Sequence, residues 1–213
     1  MSNTFITKIL FFPFKLFREL QNKLIAFFRK LLLRLQAISH RGTLILGSHI
    51  KIEHPVYFQG KGCLEIKENA QLGYKLGGSL STPILLQARQ PEAKITIGEE
   101  TTLNNGAELI ACSKISLGKK CLIGSQVSIY DSDFHGIGPN ERNQPGKTLP
   151  VEIGDNVWIG SRAIILKGVI IGKDAVIGAA CVVSKSIPEG CIVVGNPMRQ
   201  LGSVYDRTNK SIF

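Results

Sequence analysis

Residues 153–188 read IGDNVWIGSRAIILKGVIIGKDAVIGAACVVSKSIP, and an aliphatic residue returns every six positions: Ile153, Ile159, Ile165, Ile171, Ile177 and Val183. The same step runs upstream through Ile97, Leu103 and Leu109, then Leu117, Ile123 and Ile129. Glycine often follows the aliphatic residue. Four positions after it stands a small or branched residue: Thr101, Ala107, Cys121, Val127, Val157, Ala163, Val169, Ala175 or Cys181. A fixed period decides architecture before local propensity does. Six residues fit neither a 3.6-residue helix nor a two-residue strand alternation. They fit an all-β solenoid of short extended segments joined by sharp corners, three hexads to a triangular coil. Positions one and five then point inward, and the glycine serves a corner needing positive φ or close backbone approach. Stacked coils bury one continuous aliphatic column.

Working outward, Leu46, Ile52, Phe58 and Leu64 keep the six-residue step, so residues 42–96 are expected to begin the same solenoid. Residues 75–93, with GGSLSTP and RQPEA, predict a loop or an irregular coil. The solenoid domain is placed at 42–201 and a short C-terminal tail at 202–213. Hydrophobic residues make up 44% of the 213, enough for a core. The five cysteines form no CxxC pair, and Cys121 and Cys181 fall on inward positions, where they read as small core hydrophobes. With no recognisable signal peptide, the expected location is a reducing cytoplasm.

The net charge of +10 is concentrated at the front. Residues 1–41 hold eight Lys/Arg and one acid, Glu19, which is +7 of that total. No aromatic-plus-basic surface elsewhere suggests nucleic acid. Pro13 suits a first helical position, and Phe17, Leu20, Leu24, Phe28, Leu31, Leu35 and Ile38 recur at helical spacing, predicting an amphipathic helix over 13–39. The apolar run ILFFPF (9–14) is too short to span a bilayer. Two readings stand. Residues 9–38 lie in a membrane interface on the inner face of the cytoplasmic membrane, or the helix packs on the solenoid or a neighbouring subunit.

The period fails between Ile129 and Ile153, where IYDSDFHGIGPNERNQPGKTLPVE carries three prolines and three glycines. A loop this long in a compact solenoid (131–152) is usually functional. His135 sits near its start. An imidazole exchanges its proton near neutral pH and suits a general base; an isolated loop histidine can equally be a solvated side chain. Asp131 and Asp133 flank the loop entrance, placed to orient His135 or bind an acceptor, or else to form a turn. Trp158 is the only tryptophan and takes an outward position, which wastes apolar area unless something covers it.

The run IGDNVWIGSRAIILKGVIIGKDAVIGAACVV resembles the hexapeptide-repeat acyltransferases, of the galactoside and maltose O-acetyltransferase type. The resemblance covers roughly residues 95–201. It implies a left-handed parallel β-helix, where the general crossover rule would favour the opposite hand. It implies an acetyl-CoA-dependent O-acetyltransferase with a saccharide acceptor, of capsule or surface-polysaccharide synthesis, working as a homotrimer without a metal. His135 matches the family's base. Asn104 matches an acceptor-contacting Asn that could also bind the tetrahedral intermediate, although an Asn also suits a tight corner. Trp158 would line the acceptor or pantetheine cleft. Ser161, Ala179 and Lys185 match the coenzyme A track, with Arg199 a further phosphate contact. An arginine found slightly later in some relatives is Gly202 here. The basic, Phe-rich front also departs from the acidic helical region of the galactoside and maltose enzymes, which puts those small acceptors in doubt.

Other uses of a solenoid fit less well. A γ-class carbonic anhydrase needs three zinc-binding histidines, and only His135 lies within the regular coils. Flat threonine arrays for ice binding are missing from the hexads, and residues 1–96 do not pattern as a nucleotidyltransferase domain. An N-acetyltransferase on an amino sugar and a noncatalytic trimeric scaffold at the membrane stay open.

Overall fold

A computed structural model describes residues 3–74 and 81–206, with side chains from residue 17 onward except Glu19. The expected solenoid is present. Three parallel sheets form the faces of a triangular prism, of six, eight and six strands. The chain visits them in rotation. One coil, for example, runs from Lys114–Leu117 on the first face to Leu122–Ile123 on the second and Ser128–Tyr130 on the third. Each strand but the last pairs in parallel with the strand one coil away. All the position-one and position-five residues of 97–183 named above are 4% exposed or less, in one continuous core.

The corners explain the hexad. In Gly160–Ala163 the Ala163 N–H bonds back to the Gly160 carbonyl, and the residue between Ser161 and Ala163, Arg162, has φ of 61°. Glu100, Lys120, Gln126, Asn156, Asp174 and Ala180 hold the same fourth position at φ of 55–59°. A turn with its third residue at positive φ favours glycine there, and the chain places ordinary residues in it at a modest strain cost each. Glycine sits two positions earlier for a different reason. A Cβ on Gly160 would lie 2.5 Å from the Ala179 nitrogen of the next coil. Of the two roles expected for it, close backbone approach is the one these glycines fill.

Residues 81–93 are more regular than expected. Ile84–Ala88 is a strand of the third face, pairing with Val56–Gln59 on one side and Glu108–Ala111 on the other. Its alternating Ile84, Leu86 and Ala88 are buried, so inward packing overrides the turn-rich flanks. Residues 75–80 lie outside the described ones. At the far end Cys191–Val194 pairs antiparallel with Arg199–Ser203, which closes the second face.

The helix runs from Asn3 to His40, starting ten residues earlier than expected, with Pro13 inside it. It stops where Arg41 turns to φ of 57°, with Gly42 N–H bonded to the Ala37 carbonyl and Arg41 N–H to Ile38; this is the usual left-handed helix stop. Its last turns cap the first coil. Leu33 and Ala37 enter the core, Gln36 accepts the Phe58 N–H at 2.9 Å, and Arg29 donates to the Ile52 carbonyl at 3.2 Å. The apolar stripe read from the sequence does not dock on the solenoid: Phe17, Leu20, Leu24, Phe28, Leu31, Leu35 and Ile38 are 37–74% exposed. Among the described residues no helix is long and apolar enough to cross a membrane.

Candidate active site

The loop leaves the solenoid without breaking it. Ser128 and its partner Ile164 are 36 residues apart, whereas Ile164 and Val182 are 18 apart, yet both pairs are in register. The loop grows from the corner between the third and first faces. Its two limbs zip together through an antiparallel bridge between Ser132 and Thr148, an Asp133 N–H to the Lys147 carbonyl and a Gly136 N–H to the Gln144 carbonyl.

His135 stands exposed on this hairpin, after Phe134 at φ of 62°. Its Nδ1 is 2.8 Å from the Arg142 carbonyl oxygen. A carbonyl only accepts, so that contact places the ring proton on Nδ1 and leaves the Nε2 lone pair to take another. Of the roles open to the two flanking carboxylates, orienting the imidazole is filled by neither: the ring contact is to the Arg142 carbonyl. Asp131 is fully buried, and its oxygens accept the N–H groups of Cys112, Ser113 and Lys114, each at 2.7 Å. It ties the corner of the preceding coil and is turned away from any acceptor. Asp133 pairs through Oδ1 with Lys167 Nζ at 2.6 Å, while its Oδ2 is buried without a hydrogen-bond partner.

A cleft of about 480 Å³ opens between hairpin and coils. Arg89, Gln90 and Cys112 line it from the corners of the two preceding coils, and Ser132, Phe134 and His135 from the hairpin. Burial, and then the Asp131 charge, push the Cys112 thiol up. It therefore stays protonated at neutral pH and is a poor nucleophile. A smaller cleft of about 290 Å³ near Gly47 is edged by Glu65, Glu68 and Glu99 and holds no histidine. Among the described residues no three His, Cys, Asp or Glu side chains converge as a metal site would require.

The remaining predicted residues lie elsewhere on the prism. Asn104 is at the corner between the second and third faces, where its Oδ1 accepts the Asn105 N–H at 2.8 Å. Ser161 and Ala179 occupy the same corner in later coils, joined by the Ala180 N–H to the Ser161 carbonyl. Lys185 is exposed on the His135 edge, beyond the last strand of the third face, and Arg199 is in the terminal antiparallel strand. Trp158 is 49% exposed on the second face, paired with Leu122, itself 54% exposed. Within one chain, then, His135 and Asn104 belong to different corners. Sequence reasoning missed Arg89, Phe134 and Lys167. Arg89 was hidden because the stretch that holds it, 75–93, reads as a loop or an irregular coil, and nothing in the hexad marked Lys167.

Residues 150–185 match the bacterial transferase hexapeptide pattern of six repeats. Galactoside O-acetyltransferase of Escherichia coli strain K12 is 31% identical over 121 residues, 57% of this chain and 60% of that protein. A second protein of that strain, provisionally assigned as a lipopolysaccharide biosynthesis O-acetyl transferase, is 28% identical over 158 residues, 70% of this chain and 76% of its own. The crystal structure of a hexapeptide-repeat acetyltransferase from Vibrio cholerae superposes with a TM-score of 0.56 at 26% identity, covering 76% of this chain and 74% of that one. The chain spans 53–60% of the length of three of the curated relatives it matches. The repeat, the three-faced prism and these likenesses agree: the fold is the left-handed parallel β-helix, and residues 150–185 carry the hexapeptide repeat of the bacterial transferases.

Proposed function

We propose that this protein is an acetyl-CoA-dependent O-acetyltransferase that acts on a sugar hydroxyl in bacterial surface-glycan synthesis. The observation carrying the proposal is His135, held by the Arg142 carbonyl with no partner for Nε2 among the described residues, at the mouth of the cleft. A sugar hydroxyl is a weak nucleophile at neutral pH until a base takes its proton. Nε2 takes that proton as the oxygen attacks the thioester carbonyl. A tetrahedral intermediate forms, its oxyanion held by backbone N–H groups or by Asn104. It collapses to the acetyl ester, the C–S bond breaks, and the departing thiolate recovers the proton from the imidazolium. No metal enters this sequence. The two E. coli relatives, both named as O-acetyl transferases, favour this reading.

Because His135 and Asn104 sit on different corners, they can serve one acceptor only if copies of the chain share the site. This favours a homotrimer with Trp158 and Leu122 at or near the contact. The coenzyme track is proposed along Ser161, Ala179, Lys185 and Arg199. The exposed apolar stripe of the helix, beside its basic residues, favours peripheral contact with an anionic membrane surface. Asp133, through its unpartnered oxygen, is the carboxylate that stays a candidate for the acceptor.

Thiol release from acetyl-CoA against a panel of sugars, with His135→Ala alongside, tests the reaction. Transfer to a hydroxyl acceptor that is lost in the variant supports the reading. Transfer only to amino sugars would make it an N-acetyltransferase, and no transfer to any acceptor would leave a scaffold.

A further inference from the structure

The cleft beside His135 is cationic, and its charge comes from one residue whose role nothing above uses. Arg89 leaves the strand Ile84–Ala88 at the corner and is anchored by its own N–H to the Ala111 carbonyl at 2.8 Å. Its guanidinium carbon lies 4.5 Å from the centroid of the Phe134 ring, whose other neighbour is Tyr130 at 5.8 Å, edge to face. The Tyr130 hydroxyl in turn donates to Glu108 at 2.7 Å. The guanidinium thus rests on an aromatic shelf that is itself held in place. Only its Nε–H is engaged, donating to Gln87 Oε1 at 2.7 Å, so among the described residues the four Nη hydrogens have no acceptor.

No described residue lining the cleft is acidic. The nearby carboxylates face other groups: Asp131 three backbone N–H groups, Asp133 Lys167 through one oxygen, and Glu108 Tyr130. An arginine stacked on a ring, with its fork of donors open and no counter-charge, matches a planar or tetrahedral oxyanion. Both Arg89 and His135 line the same cleft, so an acceptor anchored at one presents its ring hydroxyls to the other.

We infer that Arg89 selects an acidic acceptor: a saccharide bearing a carboxylate, as a sugar acid does, or a phosphate, bound at Arg89 while a neighbouring hydroxyl meets His135. The inference rests on the acyl-transfer reading of this cleft, but binding tests it without turnover. Isothermal titration calorimetry on the full chain would use methyl β-D-glucuronide, its uncharged methyl ester and glucose 6-phosphate. One or both anions should bind at least tenfold more tightly than the ester, and the tighter of the two identifies the source of the charge. Arg89→Gln should weaken the anion roughly 10- to 100-fold and leave the ester unchanged; Arg89→Lys should retain part of the preference, and added salt should erode it. Unchanged thermal midpoints would show that the variants fold. Equal binding of acid and ester, no binding of any probe, or an acid preference that survives Arg89→Gln would overturn the inference. Acid-selective binding without thiol release would overturn the catalytic reading alone. Thiol release with neutral acceptors only, and no acid preference, would overturn this inference alone.

Discussion

Two edges of the same prism are built to opposite rules. Between the second and third faces the corners Asn104–Ala107, Gly124–Val127, Gly160–Ala163 and Gly178–Cys181 are each four residues long. Their backbones stack so closely that a Cβ on Gly124 would come 2.6 Å from the Ser161 nitrogen. Between the third and first faces the connections vary from the two residues Cys112 and Ser113 to the twenty of 131–150. From residue 104 onward the first edge keeps to four residues per corner, with Gln126 and Arg162 the long side chains among them, and only its earlier connection, 73–83, is longer. The second carries Arg89, His135 and Lys167. Length can change at one corner because strand register is set by inward side chains on the faces, and that register is unaltered on either side of the loop. A solenoid can therefore hold a reacting group on one edge while another edge supplies rigidity.

The largest expected effect breaks the comparison at the open edge. His135→Ala should lower kcat/KM about 10²- to 10⁴-fold, the usual contribution of a positioned acid–base group. The side chain is exposed, so the thermal midpoint should stay where it is. Activity within tenfold of the parent would mean that this is not the reacting edge.

Asp131 is where the open edge depends on buried structure. Asp131→Ala strands the N–H groups of Cys112, Ser113 and Lys114 with no acceptor. Each hydrogen bond to a charged group contributes about 1.5–3 kcal/mol, so losing all three should cost at least about 4.5 kcal/mol. That is a large fraction of a typical domain's stability, about 5–15 kcal/mol. A urea midpoint shifted by less than 1 kcal/mol equivalent would mean that the carboxylate does not brace the corner.

At the closed edge, Gly160→Val sets a side chain against the Ala179 backbone, whose Cα and nitrogen would lie 2.9 and 2.5 Å from the new Cβ. Backbone cannot rotate away, so overpacking of about 1–3 kcal/mol is expected. Asn143→Ala, in the exposed hairpin, should change stability by less than about 0.5 kcal/mol. Similar costs at the two positions would remove the distinction between the edges.

How much of this was legible in sequence follows the same division. The faces could be read because inward packing forces a six-residue period, so Ile153 to Val183 announced themselves. The long loop could be read as the failure of that period, and His135 as its one imidazole. What could not be read are interactions that cross coils. The Arg89–Phe134 stack joins residues 45 positions apart, and the Asp133–Lys167 pair joins residues 34 apart. Neither separation is a multiple of six, because each pair has one member, Phe134 or Asp133, in the loop where the period fails. Asp131 looked like an acceptor contact for the same reason: its three partners belong to the coil before it. The helix showed its amphipathic pattern plainly, but periodicity reveals that a stripe exists and is silent about which stripe meets the core. Leu33 and Ala37, four apart, were enough to dock it.

That exposed stripe gives the smallest expected change in stability and the cleanest separation of folding from partner choice. The capping contacts use Leu33, Ala37, Gln36 and Arg29, so Leu24→Ser with Phe28→Ser touches none of them. The thermal midpoint should move little, each surface change being worth within about 0.5 kcal/mol. Co-sedimentation with vesicles containing anionic lipid should fall sharply, because it loses two apolar side chains that the membrane would have buried. Arg34→Gln, which leaves the stripe intact, should cost less and only at low salt, since an exposed charge acts through a screened field. If vesicle binding is unaffected while the protein's mass in solution drops from trimer to monomer, the stripe is a subunit contact, and the helix belongs with Trp158 and Leu122 in the assembly of the prism rather than at the membrane.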